Sequence, residues 1–577
     1  MFNDAQQRAI ITPGNCLITA CPGSGKTTVL QHRAKHKLTQ NPKGRVLGVT
    51  FTAEAAAELR NRILKEVPNA RDRVRCGTFH SLCKMQLEQS GKRVKLINEV
   101  QQTELIRRAY KDAGDADVTF EAASRFIEST KAAVDPILPK DDPLVRVYEA
   151  YQLLLQQIGA YDFADLLVLA TRGMQNGEIR AFDVNYILAD EYQDSDQVQC
   201  AWLIEHVRRG IEVCVVGDDD QSVYAWRNAQ GVKGMREFSR VAGATHISLD
   251  MTYRCAQEIM VPSALLITKN KERIEKQLMT ANRERGEARV LRFESRAKEF
   301  EAVARAIALS GCPENWGVLA RTNSLLEHLE ECISPYVPVS RSGGVSFWDV
   351  RGPALFLSLC RSLVYGEMLG VDEVLRRSGV TEAQLADVHQ RYRSNEPGGL
   401  ARFLADTRGT GKDPVSRFRL SLQSWARMLP KGPEQTTLVL KGIAKYLQNY
   451  VTLYDSKRKE EDRIRDMARL DNCARSLSNI GGPLERRLRI LSDEKDEIKK
   501  DSARLMTLHS SKGLEFPHVW IIACEEGVIP SPSSVDEDEE RRLLYVGMTR
   551  AKYDLTISYV ISENNPPSRF IRETGLH

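Results

Sequence analysis

An α/β fold built on parallel sheets is predicted by three features of the sequence. Short apolar runs each stop at a polar or glycine-rich turn: NCLITA (15–20), RVLGVTFT (45–52), NYILAD (185–190) and IEVCVVGD (211–218). Such runs read as strands buried on both faces, the condition of a parallel sheet covered by helices. The first run leads into KTTVLQHRAKHKL (26–38), whose apolar and polar alternation suits a helix lying on that sheet. Finally, 577 residues with 42% hydrophobic and 28% charged are too many for one core, so several domains are expected.

Taken in order, the first strands are followed by a change of period. From Ser81 to about residue 180 the spacing turns helical, as in TELIRRAYKDA (103–113) and VRVYEAYQLLLQQI (145–158), with Pro136, Pro139 and Pro143 as punctuation. Strand-like runs return as ARVLRF (288–293) and NWGVLAR (315–321), then as ARLMTL (503–508), HVWIIA (518–523) and DLTISYV (554–560). The layout expected is a first layer of 1–83 and 181–280 with a helical insertion of 84–180, then a second layer of 281–370 and 501–577 split by a helical insertion of 371–500. Within the latter, DSKRKEEDRIRDMARL (455–470) mixes charge signs, the mark of a solvated helix face.

Composition excludes some function classes and leaves others open. The net charge of +5, from 82 basic and 77 acidic residues, is too small to establish a polyanionic partner. No apolar run approaches the roughly 18 residues of a spanning helix, and MFNDAQQRAI lacks the layout of a signal peptide, so a cytoplasmic protein with no membrane partner is expected. Twelve scattered cysteines, without a CxxC pair, read as isolated thiols and not as disulfides or a zinc site.

Chemistry enters with ACPGSGKT, spanning Ala20, Cys21, Pro22, Gly23, Ser24, Gly25, Lys26 and Thr27. This fits a P-loop in which alanine stands where glycine usually begins the pattern. Gly23 and Gly25 let backbone N–H groups curl around phosphate at a helix N-terminus, Lys26 brings a positive charge, and Thr27 offers a hydroxyl to Mg²⁺. Such a loop needs carboxylates at the end of a neighbouring strand. NYILADEYQD supplies them: Asp190 suits the metal, and Glu191 is the candidate general base.

With these residues in place, the chain resembles the UvrD/Rep group of superfamily 1A DNA helicases along nearly its whole length. The ordered segments are FNDAQ (2–6), the P-loop, TFTAEAAAELRNR (50–62), GTFHSL (77–82), YDFADLL (161–167), DEYQDS (190–195), VGDDDQSVYAWRNA (216–229), TYR (252–254), LARTN (319–323), LMTLHSSKGLEF (505–516) and EERRLLYVGMTRA (539–551). The resemblance implies two RecA-like P-loop NTPase lobes, each with a helical insertion, that use ATP and Mg²⁺. It assigns Gln6 to the adenine edge, Tyr253 to stacking on the base, Gln221 to sensing the γ-phosphate, Arg254 and Arg550 to clamping it, and Glu515 to the ribose. A guanidinium against a transferring phosphoryl group offsets developing charge. If Arg254 and Arg550 border the second layer, ATP lies in a cleft that closes and reopens, which is translocation.

The same resemblance implies a DNA channel. Phe51, Tyr224 and Trp226 stand in motifs that stack on unpaired bases, and Thr52, Phe79, His80, Arg321, Thr507 and His509 are further candidates for its lining. The partners implied are single-stranded DNA and 3′-tailed duplexes, with a nuclease or a repair or replication protein as a further partner. Thr28 departs from the family, which often has arginine there, and Glu54 replaces a lysine. The chain stops soon after the last motif, so no C-terminal tail or nuclease domain is expected, and the second insertion is shorter than usual. Two functions follow: an ATP-driven 3′ to 5′ translocase that unwinds duplexes, or a DNA-responsive ATPase subunit acting with a partner nuclease, as in a Gabija-type antiphage complex. A P-loop kinase of small molecules would have no use for DDDQSVYAW.

Overall fold

The computed structural model describes residues 2–576 apart from 93, 114–117, 140, 342–347, 349, 395, 397, 409–410, 453–459, 490–500, 533, 535 and 562–565. It divides into two compact units. The first contains Met1–Arg289, Ile529–Leu555 and Ser568–His577, and the second contains Val290–Val528 and Thr556–Pro567.

The first unit is built on six strands: β1 (Cys16–Ala20), β2 (Val46–Thr50), β3 (Val74–Thr78), β4 (Tyr186–Ala189), β5 (Glu212–Gly217) and β6 (Thr245–Leu249). They are ordered β3-β2-β4-β5-β1-β6, and every pairing is parallel. Successive side chains point to opposite faces and enter two separate cores. Leu17, Leu47, Val49, Ile187, Val213 and Val215 join Trp202, Leu203 and Phe238 on one side. Cys16, Ile18, Val46, Leu188, Cys214 and Val216 join Val29, Leu30 and Ile63 on the other. This double burial explains why the central strands read as unbroken apolar runs.

The insertion in this unit has a smaller core of its own. Ile106 and Ala109 of the helix Glu99–Ala113 meet Ile127 of Phe120–Lys131, and Tyr151, Leu154 and Leu155 of Pro143–Gln157. Pro143 stands at the first position of its helix, where a missing N–H costs nothing, and Asp142 caps it. The helix Phe163–Gln175 instead gives Leu166, Leu167, Ala170 and Met174 to the sheet core. At the junction Lys131 is buried against Asp162 and Asp165, 2.6 and 2.7 Å away.

Two short strands, β7 (Met251–Thr252) and β8 (Met279–Thr280), pair in parallel. The second unit holds most of a further sheet, comprising β9 (Glu287–Phe293), β10 (Trp316–Ala320), β11 (Val339–Arg341), β12 (Ala503–Thr507), β13 (Phe516–Ile521) and β14 (Ala551–Val560), in the order β11-β12-β10-β13-β14-β9. Val318, Leu326, Leu329, Leu505 and Trp520 lie in its core. Its helical part begins at Arg351–Tyr365, and Phe356, Phe403, Phe418, Trp425 and Leu440 anchor a separate core. Of the charged run 455–470, residues 455–459 fall outside the described residues, and the remainder lies in the helix Glu460–Asn479.

The packing boundary differs from the one expected near the C-terminus, where 501–577 was assigned to a single layer. Ile529–Leu555 groups with the first unit. Buried Arg541, on the helix Glu537–Met548, bonds Asn270 and ion-pairs with Glu573, while Arg542 donates to the Ser222 carbonyl. These contacts fix the last motif beside the segment that follows β5.

Candidate nucleotide site and aromatic platform

The phosphate loop starts where β1 ends. The Cys21 N–H donates to the Leu249 carbonyl, and Gly23 and Gly25 take φ of +72° and +83°, values that favour glycine. A Cβ on Gly23 would lie 2.5 Å from Arg254 Cβ and 2.8 Å from Thr252 Oγ1, so Gly23 also admits a close neighbour. Lys26 then opens α2 (Lys26–Gln40), whose N-terminus has no side-chain cap. Uncapped N–H groups and the positive end of the helix dipole suit a polyphosphate. Ser24 Oγ is buried in the same loop without a hydrogen-bond partner among the described residues. The residues present therefore fit a nucleotide triphosphate.

Gln6 closes one side of the loop. It lies on α1 (Asp4–Ile11) in a capping box with Asn3, and its side-chain amide donates to the Ser24 carbonyl at 3.0 Å. Asn3 Nδ2 donates to the Tyr253 hydroxyl at 3.0 Å, and Tyr253 N–H donates to the Gly23 carbonyl. Gln6, Tyr253 and the loop are thus tied together. Thr28 lies in the first turn of α2, where its carbonyl meets His32 Nδ1 at 2.9 Å.

The carboxylates stand at the end of β4. Thr27 Oγ1 lies 3.5 Å from Asp190 Oδ2, and Lys26 Nζ donates to both oxygens of Glu191 at 2.9 and 3.0 Å. Glu191 itself has φ +52°, a strained left-handed conformation for a non-glycine residue. Burial, and then the neighbouring Glu191, push Asp190 up to about 6, while Lys26 opposes that shift. Burial works against the Lys26 charge, but Glu191, Asp190 and Asp218 outweigh it and hold its pKa above the ordinary value. A hydroxyl and a carboxylate are hard oxygen donors, so Thr27 and Asp190 suit Mg²⁺ chemically.

From Glu191 the hydrogen bonds continue through residues that are buried. Gln193 Nε2 donates to Glu191 Oε2 at 2.6 Å, and Gln193 Oε1 accepts the Asp218 N–H at 2.9 Å. Asp218 Oδ2 accepts from Gln221 Nε2, and Gln221 Oε1 accepts from Arg550 Nη2 at 2.8 Å. Arg254 Nη1 donates to the Thr549 carbonyl at 3.2 Å. Burial, together with Arg254 nearby, brings Arg550 down to about 10, so it stays charged at neutral pH. Lys26, Asp190, Glu191, Gln221, Arg254 and Arg550 all belong to the first unit.

A platform follows Gln221 within a few residues. Phe51 and Tyr224 stack in parallel with ring centres 6.1 Å apart, Trp226 meets Tyr224 edge-on, and the Arg227 guanidinium lies 4.5 Å above the Trp226 ring. Trp226 is 63% exposed and Phe51 37%. They border a cavity of about 450 Å³ whose wall also includes His80, Phe163, Asp194 and Asp196. Thr52 serves as the N-cap of the next helix, Ala53–Glu66. Phe79, expected to line the channel, is instead 3% exposed and packs edge-on against Trp202 in the sheet core, so its ring presents no face to a base.

In the second unit, Arg321 directly follows β10 and Thr507 ends β12, which are paired with Ala320 opposite Thr507. Thr507 Oγ1 meets Ser510 Oγ at 2.9 Å, and His509 lies in that turn. Glu515 immediately precedes β13. These four belong to the second unit.

Four contributors escaped the sequence reading. Gln193 and Phe163 lie inside DEYQDS and YDFADLL, and Arg227 follows YAW, so their motifs carried a signal that the individual residues did not. Lys276, described below, sits in NKERIEKQ, which looks like any solvated charged stretch.

A parallel sheet whose strand β1 feeds an uncapped helix through a glycine loop, with a carboxylate pair two strands away, defines a P-loop nucleotide-binding protein. Residues 2–240 match the UvrD/REP helicase N-terminal domain, and 429–562 match the UvrD-like helicase C-terminal domain. DNA helicase II of Salmonella typhimurium is 30% identical, over 99% of this chain and 87% of the relative. DNA helicase II of Escherichia coli gives the same figures, 30%, 99% and 87%. The ATP-dependent DNA helicase PcrA of Staphylococcus aureus is 28% identical, over 99% of this chain and 86% of its own length. The chain belongs to the UvrD/REP helicase family. No helix among the described residues is long and apolar enough to cross a membrane.

Proposed function

We propose that this chain is an ATP-dependent DNA helicase that moves 3′ to 5′ along single-stranded DNA in the cytoplasm and separates 3′-tailed duplexes. One observation carries the reading: the hydrogen-bonded line from Lys26 through Glu191, Gln193 and Asp218 reaches Gln221, which also meets Arg550 and stands three residues before Tyr224 of the platform. A change at the phosphate loop therefore has a short covalent path to the groups that hold bases. The direction of movement rests on the resemblance to the UvrD/Rep group.

Each residue has a task in this proposal. The loop N–H groups, Lys26 and the two arginines hold and neutralise the ATP phosphates, and Thr27 with Asp190 would hold Mg²⁺, which supplies charge neutralisation at the phosphates. Glu191 takes the proton of the attacking water once Lys26 has turned from it to phosphate. Gln221, held between Asp218 and Arg550, reports the state of the site to the platform. Glu515 and the second-unit residues Arg321, Thr507 and His509 are assigned to the ribose and the strand.

The test pairs hydrolysis with strand displacement. ATP turnover should rise on adding single-stranded DNA, and a duplex with a 3′ tail should be opened in preference to one with a 5′ tail. Lys26→Ala and Glu191→Gln should stop hydrolysis while single-stranded DNA still binds. Turnover indifferent to DNA would sink the reading; stimulated turnover without strand separation would point instead to an ATPase subunit working with a partner.

A further inference from the structure

The consecutive acids Asp218, Asp219 and Asp220 are each no more than 1% exposed at the side chain, with ligand-capable oxygens close enough together to suggest a cation site. The cation is part of the chain. Lys276 Nζ, fully buried, lies 2.7 Å from Asp218 Oδ1, 2.6 Å from Asp219 Oδ1 and 3.0 Å from Asp220 Oδ2. Of the ammonium's three N–H donors, two are hydrogen-bonded to Asp218 and Asp219, and Asp220 completes the set as an ion pair. Arg273 adds a two-pronged contact to Asp220, at 2.8 and 3.1 Å, and the Ile274 N–H donates to Asp219 Oδ2 at 2.7 Å.

The arrangement exceeds what packing requires. Three adjacent carboxylates repel one another, and burying them uncompensated is costly. Lys276 occupies one oxygen of Asp218 and leaves the other, Oδ2, to receive the Gln221 amide. That bond orients the amide so that its oxygen faces Arg550. Removing Lys276 would leave Asp218 Oδ1 with only the Asp220 N–H at 3.2 Å, and so loosen the carboxylate that orients the Gln221 amide toward Arg550.

We propose that Lys276 is a positioning residue for ATP turnover, clamping the Asp218–Asp220 turn so that Gln221 is held between Asp218 and Arg550. This deepens the helicase reading and rests on it. Lys276 touches neither nucleotide nor DNA in this role; it acts through Gln221.

The experiment is a double-mutant cycle on the full chain, with Lys276→Met, Gln221→Ala and both together, reading kcat and KM for ATP with saturating single-stranded DNA, alongside the thermal midpoint. Lys276→Met should lower kcat by about 10- to 100-fold, the usual cost of losing a group that orients an active one, and leave KM for ATP unchanged. The double variant should be no slower than Gln221→Ala alone, because both changes remove the same interaction. Lys276→Arg preserves charge, but a planar fork cannot reproduce three compact contacts, so it should fold and still lose kcat. If Lys276→Met fails to fold, the same cycle run with Lys276→Arg decides. Effects that multiply in the double variant, or wild-type kcat in Lys276→Arg, overturn the assignment of Lys276 alone. A wild-type chain whose turnover ignores DNA overturns the helicase reading and this inference with it.

Discussion

At Gly23 a single missing methyl group sets the geometry of the phosphate loop. Both its φ of +72° and the 2.5 Å distance from a virtual Cβ to Arg254 Cβ exclude a side chain. Gly14 has nearly the same φ, +73°, but a Cβ there would meet nothing within 4 Å. The pair separates backbone strain from collision. Gly14→Ala should cost about 1 to 2 kcal/mol in urea unfolding and leave nucleotide binding intact. Gly23→Ala should cost more and abolish binding of a fluorescent ATP analogue, since Arg254 must shift; equal behaviour of the two variants would refute the steric account. Residues whose role is local, such as Lys26, Thr27, Asp190 and Glu191, were legible because spacing along the chain fixes their chemistry. Gln193 and Lys276 act through partners up to 58 positions away, as in the Lys276 bond to Asp218, and no local pattern encodes that. Phe79 was misread for the converse reason: its motif continues into a helix, and helical rotation turns the ring into the core while His80 faces the cavity.

In the first unit's sheet the central strands were legible and the edges were not, which follows from burial. β1, β2 and β5 are buried almost throughout, whereas β3 and β6 lie at the two ends of the sheet and alternate with exposed positions. VRCGT and THISL therefore carry no unbroken apolar run. Helices show the same dependence on their neighbours, and Gln197–Arg208 supplies a measurable case. His206 on this helix is fully buried, stacks on Phe182, and lies with its ring centre 4.2 Å from that of Trp202. Nδ1 donates to the Trp202 carbonyl, while Nε2 has no partner among the described residues. Burial, helped by Arg209, brings its pKa from 6.5 down to about 4. Unfolding then takes up a proton below pH 6.5, so the stabilisation is present above 6.5 and is lost as pH falls toward 4. The full effect is about 3 kcal/mol, from the size of that shift. His206→Phe retains an aromatic ring and removes the titration. Its urea midpoint should therefore fall less than wild type's between about pH 7 and pH 5, and parallel losses would show that His206 is not the group responsible.

For the molecule as a whole, a net charge of +5 over 577 residues is a weak electrostatic lure for DNA, and the cavity beside the platform agrees. Its wall carries Glu128, Asp194 and Asp196 as well as Lys131 and Arg227, and its most exposed rings are Trp226 and Phe163, at 63% and 50%. Binding that depends on ring faces is insensitive to salt, because it releases no counterions, whereas each phosphate contact to a single strand adds about 0.7 to the slope of log affinity against log salt. The two contributions can be read separately in one titration series of single-stranded DNA at several salt concentrations. Trp226→Ala should lower affinity by about 5- to 150-fold, equivalent to about 1 to 3 kcal/mol for one base, by the same factor at every salt concentration. Arg227→Ala should flatten the slope by about 0.7 if its guanidinium meets one phosphate. A Trp226→Ala loss that shrinks as salt rises would mean that the ring merely supports the Arg227 charge stacked 4.5 Å above it, and the platform would then be an electrostatic contact, with no base stacked on it.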